Sequence, residues 1–150
     1  MVLLIGFSGK IGSGKNYIAE KILPTLFPSK YVPIYLAYAD QLKVEVYARD
    51  KTNTLNYDNL YVDKTPEIRR KLQLYGTEIG REDKKDMWVD ALHMWITVLS
   101  NRWTRTDLIP IFIITDVRFV NEAAYILNNN GVLFRINANT QSNNIIFKIN

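Results

Sequence analysis

The sequence predicts a three-layer α/β/α domain with a mostly parallel, five-stranded sheet. Three observations predict it. Short apolar runs of the kind carried by buried strands recur along the chain: VLLIGF at 2–7, YLAYA at 35–39 and IFIIT at 111–115. Stretches with apolar residues three and four apart, the spacing of one helix face, lie between them. Strand and helix signals alternate, which is the order that builds a parallel sheet covered by crossover helices. A chain of 150 residues fits one such domain.

Each element follows in order. VLLIGF is the first strand, and it runs into the glycine-dense SGKIGSGKN. From Tyr17 the pattern turns helical, with Ile18, Ile22 and Leu26 four apart, and Pro24 and Pro28 bend or end that helix. YLAYA is the second strand, closed by Asp40, and a helix over 41–49 follows with Leu42 and Val46 on one face. The polar segment at 50–63 reads as a surface loop or a poorly ordered one. Thr65-Pro66-Glu67 starts a helix, with Pro in the first turn and Glu near the positive end of the dipole. That helix carries Ile68, Leu72 and Tyr75 on one side, and Gly76 interrupts or ends it. The next helix, 87–102, has Leu92, Trp95, Ile96 and Leu99 as its core face. Pro110 opens the clearest buried strand. A helix over 120–129 with Gly131 as its C-terminal cap, a strand over 132–136, a polar loop and a final IIFKI strand complete the chain.

Composition removes whole classes. Hydrophobic residues make up 47% and charged residues 23%, an ordinary globular balance. No apolar run approaches the roughly 18 residues of a membrane-spanning helix. The apolar start lacks a basic leader and a small-residue cleavage site, so it reads as a strand and not a signal peptide. With no cysteine, disulfides, thiol nucleophiles and cysteine zinc sites are excluded. The single histidine, His93, argues against a histidine metal centre or a serine–histidine triad, and it reads as structural. A net charge of +4 favours anionic partners but is too modest to indicate nucleic acid.

The chemistry-bearing motif is Gly9-Lys10-Ile11-Gly12-Ser13-Gly14-Lys15, which satisfies G-x-x-x-x-G-K between a strand and a helix. Glycines let backbone N–H groups curl around phosphate oxygens, the helix start adds partial positive charge, and Lys15 reaches the terminal phosphates. The next residue is Asn16, where a Ser or Thr hydroxyl usually ligates Mg²⁺; an amide oxygen can meet the ion with different geometry. Asp116, after an apolar run, supplies the second metal-side oxygen, and Arg118 lies where it can cross the phosphates. A structural glycine turn would match the same pattern, but the strand before it and the helix after it favour a phosphate-binding loop of the P-loop type. No N-K-x-D motif reads a guanine base, and helicases and motor ATPases need a longer chain, so the length suits a nucleoside monophosphate kinase or a related small-metabolite kinase.

The chain resembles the deoxynucleoside monophosphate kinases of phages and large DNA viruses. Four blocks carry the resemblance: LIGFSGKIGSGKN; Ala39-Asp40-Gln41-Leu42-Lys43; Arg69 through Glu78 with Arg81 and Trp88; and Thr115-Asp116-Val117-Arg118-Phe119 with Glu122. Dephospho-coenzyme A kinases and phosphomevalonate kinases share part of the pattern. The resemblance implies ATP- and Mg²⁺-dependent phosphorylation of a deoxynucleoside monophosphate. Lys15 and the loop 9–16 would hold ATP, and Asn16 and Asp116 the metal. Lys10, Arg69, Arg70 and Arg118 would meet the acceptor phosphate or the transferring group. Asp40 and Lys43 would line the acceptor side, over a region of about 40–90. Trp88 would stack on the base, and Gln73 or Glu122 would read its edge.

The residues themselves leave plainer roles open. Arg69-Arg70-Lys71 reads equally as a solvated helix face, Trp88 as a core aromatic, and Glu122 as an i,i+4 partner of Arg118. Relative to the family pattern, the lid is shortened to a loop at about 137–144 and a last helix is absent. The exposed sheet face this leaves suggests a homodimer. A degenerate nucleotide-binding domain without transfer activity is the contrasting expectation. The small-molecule acceptor, no nucleic acid, no membrane, and a cytoplasmic location, in a host cell if the source is viral, complete the reading.

Overall fold

The structure, a computed structural model, describes residues 2–79, 84–104, 106–138 and 145–149. Arg81 and residues 139–144 of the expected lid lie outside the described residues. The chain forms two compact units, one of Met1–Ala37 with Leu92–Asn150, the other of Tyr38–Ala91.

The first unit is built on strands β1 (Leu3–Gly9), β2 (Tyr31–Leu36), β3 (Ile109–Val117), β4 (Val132–Ala138) and β5 (Ile145–Ile149). The sequence prediction of a mostly parallel five-stranded sheet is corrected here. The parallel sheet has four strands, in the order β2-β3-β1-β4, and the last strand lies antiparallel against β4. The reason is the length of the connection. A parallel return needs a crossover of roughly a dozen residues or more. Because β4 ends at Ala138 and β5 begins at Ile145, only a reversal fits.

β3 is an interior strand, flanked by β2 and β1. Ile111, Phe112, Ile113 and Ile114 are all buried, which is why this strand reads as a continuous apolar run and not an alternating one. Burying each such side chain contributes about 1.5–3 kcal/mol. Prolines sit where a sheet tolerates a missing N–H. Pro33 is on the edge strand β2, and Pro110 precedes Ile111, where β3 begins to pair with β1. The second strand begins and ends earlier than YLAYA suggests, because Tyr38 already opens a helix.

Successive residues of β1 face opposite ways. Phe7 packs with Ile18 and Ala19, which follow α1 (Lys15–Tyr17) in a wider helical turn, Ile18–Ile22. Gly6 faces Ile126 of α5 (Val120–Asn128), and a Cβ there would overlap the Ile126 side chain. α5 ends in a six-residue closure in which Gly131 N–H donates to Ile126 O and Asn130 N–H to Leu127 O. Asn130, not Gly131, takes the left-handed backbone (φ 57°). Gly131 is needed for a different reason: a Cβ would lie 2.8 Å from both Ile126 O and Leu4 Cβ.

The second unit contains α2 (Tyr38–Ala48), α3 (Pro66–Gln73) and the first turn of α4 (Met87–Asn101). Its core is Val46, Leu55, Leu60 and Leu72. Thr65 caps α3, its Oγ1 accepting from Ile68 N–H at 3.3 Å. Gly76 does not stop the chain from coiling; a wider helical turn runs through it to Ile79. In α4, Trp88, Leu92 and Ile96 are buried four apart. Trp95, expected on that stripe, falls one residue short of it and is 44% exposed. Among the described residues, no helix is long and apolar enough to cross a membrane.

Candidate functional site

The glycine loop leaves the C-terminal end of β1, between two parallel strands. Gly9, Gly12 and Gly14 have φ of 147°, 78° and 86°, a region that L side chains rarely adopt. Gly9 carries a second constraint, since a Cβ there would overlap Ile136 O of β4. Ser13 N–H donates to Lys10 O at 3.2 Å, and Ile18 N–H to Gly14 O at 3.0 Å, so the loop winds directly into the helix. Ile11 at its tip is 88% exposed. Ser13 is buried, and its Oγ has no hydrogen-bond partner among the described residues. A buried hydroxyl left unpaired is uncommon and costly.

Lys15 folds back across this loop. Its Nζ donates to Gly9 O at 3.0 Å and to Lys10 O at 2.9 Å. Burial lowers its pKa first, the nearby Arg118 charge lowers it further, and Asp116 opposes both. The adjacency of these three residues is a product of register. Parallel pairing aligns Ser8 of β1 with Val117 of β3, which carries Asp116 and Arg118 to the root of the loop. Asp116 lies within the strand and not after its end. On the other side of β1, Arg135 pairs with Ser8 and Ile136 with Gly9.

Asn16 is exposed, and its amide makes no hydrogen bond among the described residues. Its oxygen and the Asp116 carboxylate are the hard donors Mg²⁺ prefers. Among the described residues no three His, Cys, Asp or Glu side chains gather into a metal cluster. Mg²⁺ held through phosphates needs only one or two protein oxygens, with water filling the rest, so this pair fits that ion.

Two predicted substrate contacts have partners within the protein. Glu122 is 3% exposed, and its Oε2 accepts the backbone N–H groups of Arg118 at 2.8 Å and Phe119 at 3.0 Å. The carboxylate closes the start of α5. Its link to Arg118 runs through backbone, not through the guanidinium. Trp88 is 4% exposed; its Nε1 donates to Gly76 O at 2.9 Å and its ring packs on Tyr75 at 6.4 Å. A buried indole satisfied in this way is a core anchor.

The remaining acceptor-side candidates belong to the second unit. Lys43 Nζ lies 3.3 Å from Asp40 Oδ1 and 3.8 Å from the centre of the Tyr61 ring. Arg69 Nε donates to Lys64 O at 3.1 Å. Arg70 and Gln73 are exposed on α3, and Gln73 O accepts from Thr77 Oγ1. Lys71 turns instead to Asp50, at 3.5 Å.

Sequence reasoning missed the segment 50–63, which is a built turn. Asp50 accepts from the N–H groups of Thr52, Thr54 and Leu55. Those bonds, with the Thr52 hydroxyl bond the strongest, hold its carboxyl far below the usual carboxylate range. Asn56 and Asn59 exchange side-chain oxygen for backbone N–H in both directions, at 2.8 and 3.0 Å. That reciprocal pair starts the helical turn Asp58–Val62 as a capping box would. The N-x-x-N spacing was the available signal.

At the opposite end of β1 from the loop, Val2, Leu4, His93, Ile96 and Tyr125 line a cavity of about 280 Å³. His93 Nδ1 is 3.0 Å from the Tyr125 hydroxyl, in keeping with a structural role. No protein-family model, no curated protein and no solved structure matches the chain.

Proposed function

We propose that the protein is an ATP-dependent kinase of deoxynucleoside monophosphates. One observation carries the proposal: a G-x-x-x-x-G-K loop with three left-handed glycines, its lysine inside it, and an acid and an arginine brought beside that lysine by strand register. In the reaction, an oxygen of the acceptor phosphate attacks the γ-phosphorus in line. The bond to the β–γ bridging oxygen breaks, and ADP leaves. There is little covalent work for side chains in such a step; positioning and charge neutralisation dominate.

Lys15 and the loop N–H groups hold the ATP phosphates, and Arg118 takes up charge on the transferring group. Lys15 exchanges its two carbonyl partners for phosphate oxygens when nucleotide arrives. The unpaired Ser13 hydroxyl and the exposed loop tip support a loop that readjusts on binding. Asn16 and Asp116 would hold Mg²⁺, which when bound offsets phosphate charge. Lys10 reaches outward from the loop, and Asp40, Lys43, Arg69 and Arg70 serve the acceptor.

The test is ADP release from Mg·ATP with each deoxynucleoside monophosphate in turn, with the products resolved by chromatography. Acceptor-dependent ADP with a matching diphosphate is the expected result. ATP bound but never transferred, across nucleotides and other small phosphate acceptors, would leave a nucleotide-binding domain without transfer, a reading favoured by Asn16 in the hydroxyl position.

A further inference from the structure

Trp88 is enclosed, yet the second unit does present aromatic surface next to cations. Tyr57 and Tyr61, one turn apart, stack with ring centres 4.8 Å apart and planes 12° from parallel. Lys43 Nζ sits 3.8 Å from the centre of the Tyr61 ring. A ring face already covered by tyrosine has no room for an ammonium, so Lys43 takes the other face. Tyr61 is thus sandwiched, its hydroxyl bonded to Asp40. The outer partner, Tyr57, is 69% exposed and offers its free-standing ring at the end of the stack.

Two cations meet at this turn, whose segment also carries Asp58 and Asp63. Lys64 Nζ donates to Tyr61 O at 3.1 Å, and Arg69 Nε donates to Lys64 O at 3.1 Å. Asp40 offsets Lys43. Neither Lys64 nor Arg69 forms an ion pair with a carboxylate among the described residues. The crowding registers on Lys64, whose pKa is lowered by burial and then by the charges of Lys43 and Arg69. Cations placed together without carboxylates are stabilised by an anion, and phosphate is the oxyanion a guanidinium fork and an ammonium both fit.

We infer that this turn is a recognition site for a nucleoside monophosphate, with the base stacked on the outer face of Tyr57 and the phosphate held by Lys64 and Arg69. The inference rests on the kinase reading for its biological role, and its physical content stands in the second unit alone. Tyr57 and Lys64 are the new residues. Stacking is tolerant of base identity, because every base has a π face, so this site predicts acceptance of several bases.

The experiment is calorimetric titration of the full chain, without ATP, with each deoxynucleoside monophosphate, the matching deoxynucleosides and inorganic phosphate. The monophosphates should bind more tightly than either fragment. Tyr57→Ala should weaken that binding by roughly 5- to 150-fold, the effect of removing one stacked base contact. Tyr57→Trp should retain it. Lys64→Met should weaken monophosphate and inorganic phosphate alike, by about tenfold or more. Inorganic phosphate binding as tightly as the monophosphates, no monophosphate binding, or binding unchanged in Tyr57→Ala and Lys64→Met would each overturn the inference. The ADP-release assay separates it from the kinase reading. Turnover with an unaltered acceptor KM in Tyr57→Ala removes this site and keeps the kinase. Tyr57-dependent binding without any ADP keeps the site and removes the kinase.

Discussion

Lys15 in the first unit and Lys64 in the second are alike in their immediate surroundings. Each donates to backbone carbonyl oxygen, and in each burial and a neighbouring cation weaken the hold on the proton. They differ in how the neighbours arrive. Around Lys15, Asp116 and Arg118 are delivered by the register of β3 against β1, next to a strand whose Ile111 to Ile114 run is buried. Around Lys64, Arg69 is held by side-chain-to-backbone hydrogen bonds of one short turn and Lys43 comes from α2 by its contact with the Tyr61 ring. The first arrangement is stiff because displacing it would break a sheet. The second is held by polar ties at the surface, each contributing about 1 kcal/mol. The lesson is that similar electrostatics can rest on supports of very different strength, and substitutions separate them.

The largest effect is expected at the loop. Lys15→Ala should lower acceptor-dependent turnover by about 100- to 1000-fold, the usual cost of removing a charge that stabilises the transition state. Circular dichroism should show the fold retained. Full turnover in this variant would place the chemistry elsewhere. Next comes Trp88→Phe, which leaves Gly76 O buried without its donor. Thermal unfolding should report a loss of about 1–3 kcal/mol, and the acceptor KM should not move. A raised KM at unchanged stability would restore Trp88 to the base.

Smaller again is Glu122→Ala, which strips the start of α5 of the carboxylate that accepts from Arg118 and Phe119 N–H. A loss of about 0.5–2 kcal/mol is expected from urea unfolding. Because Glu122 holds the N–H of Arg118, turnover should fall only as far as that arginine shifts. The smallest effect at neutral pH belongs to Asp50, and its sign is set by its pKa. The folded-state value is depressed, so the contribution is fully present above the ordinary carboxylate range and is lost as pH falls through that range toward the folded value. Asp50→Asn should therefore lower Tm between pH 5 and 7, windows well above an ordinary Asp pKa of about 4. The gap to the native chain should close in stronger acid. A gap constant down to pH 2 would show that the carboxylate charge is not what organises the turn.

What was legible in the sequence follows from what is local. The glycine loop could be read because its glycines are neighbours in the chain, and positive-φ backbone favours glycine in any tertiary setting. The start of α3 at Thr65-Pro66 was legible for the same reason, a cap acting within one turn. Strand existence was legible where burial makes the whole run apolar, as in β3. Boundaries slipped at β2, where YLAYA straddles a strand end and a helix start. The roles of Trp88 and Glu122 stayed open in the sequence because a polar or aromatic side chain does not announce its partner. One finds the carbonyl of Gly76, 12 residues back, the other finds backbone N–H groups behind it.

By itself, then, the sequence determined the apolar runs, the glycine loop and the helix starts, because these depend on chain neighbours and on the preference of a residue for its own backbone conformation. Tertiary structure alone decided the register that brings Asp116 and Arg118 to Lys15, and the gathering of Lys43, Lys64 and Arg69. The physical reason is separation along the chain. Residues 101 positions apart, such as Lys15 and Asp116, are neighbours only because hydrogen bonding between strands fixes which residue lies beside which.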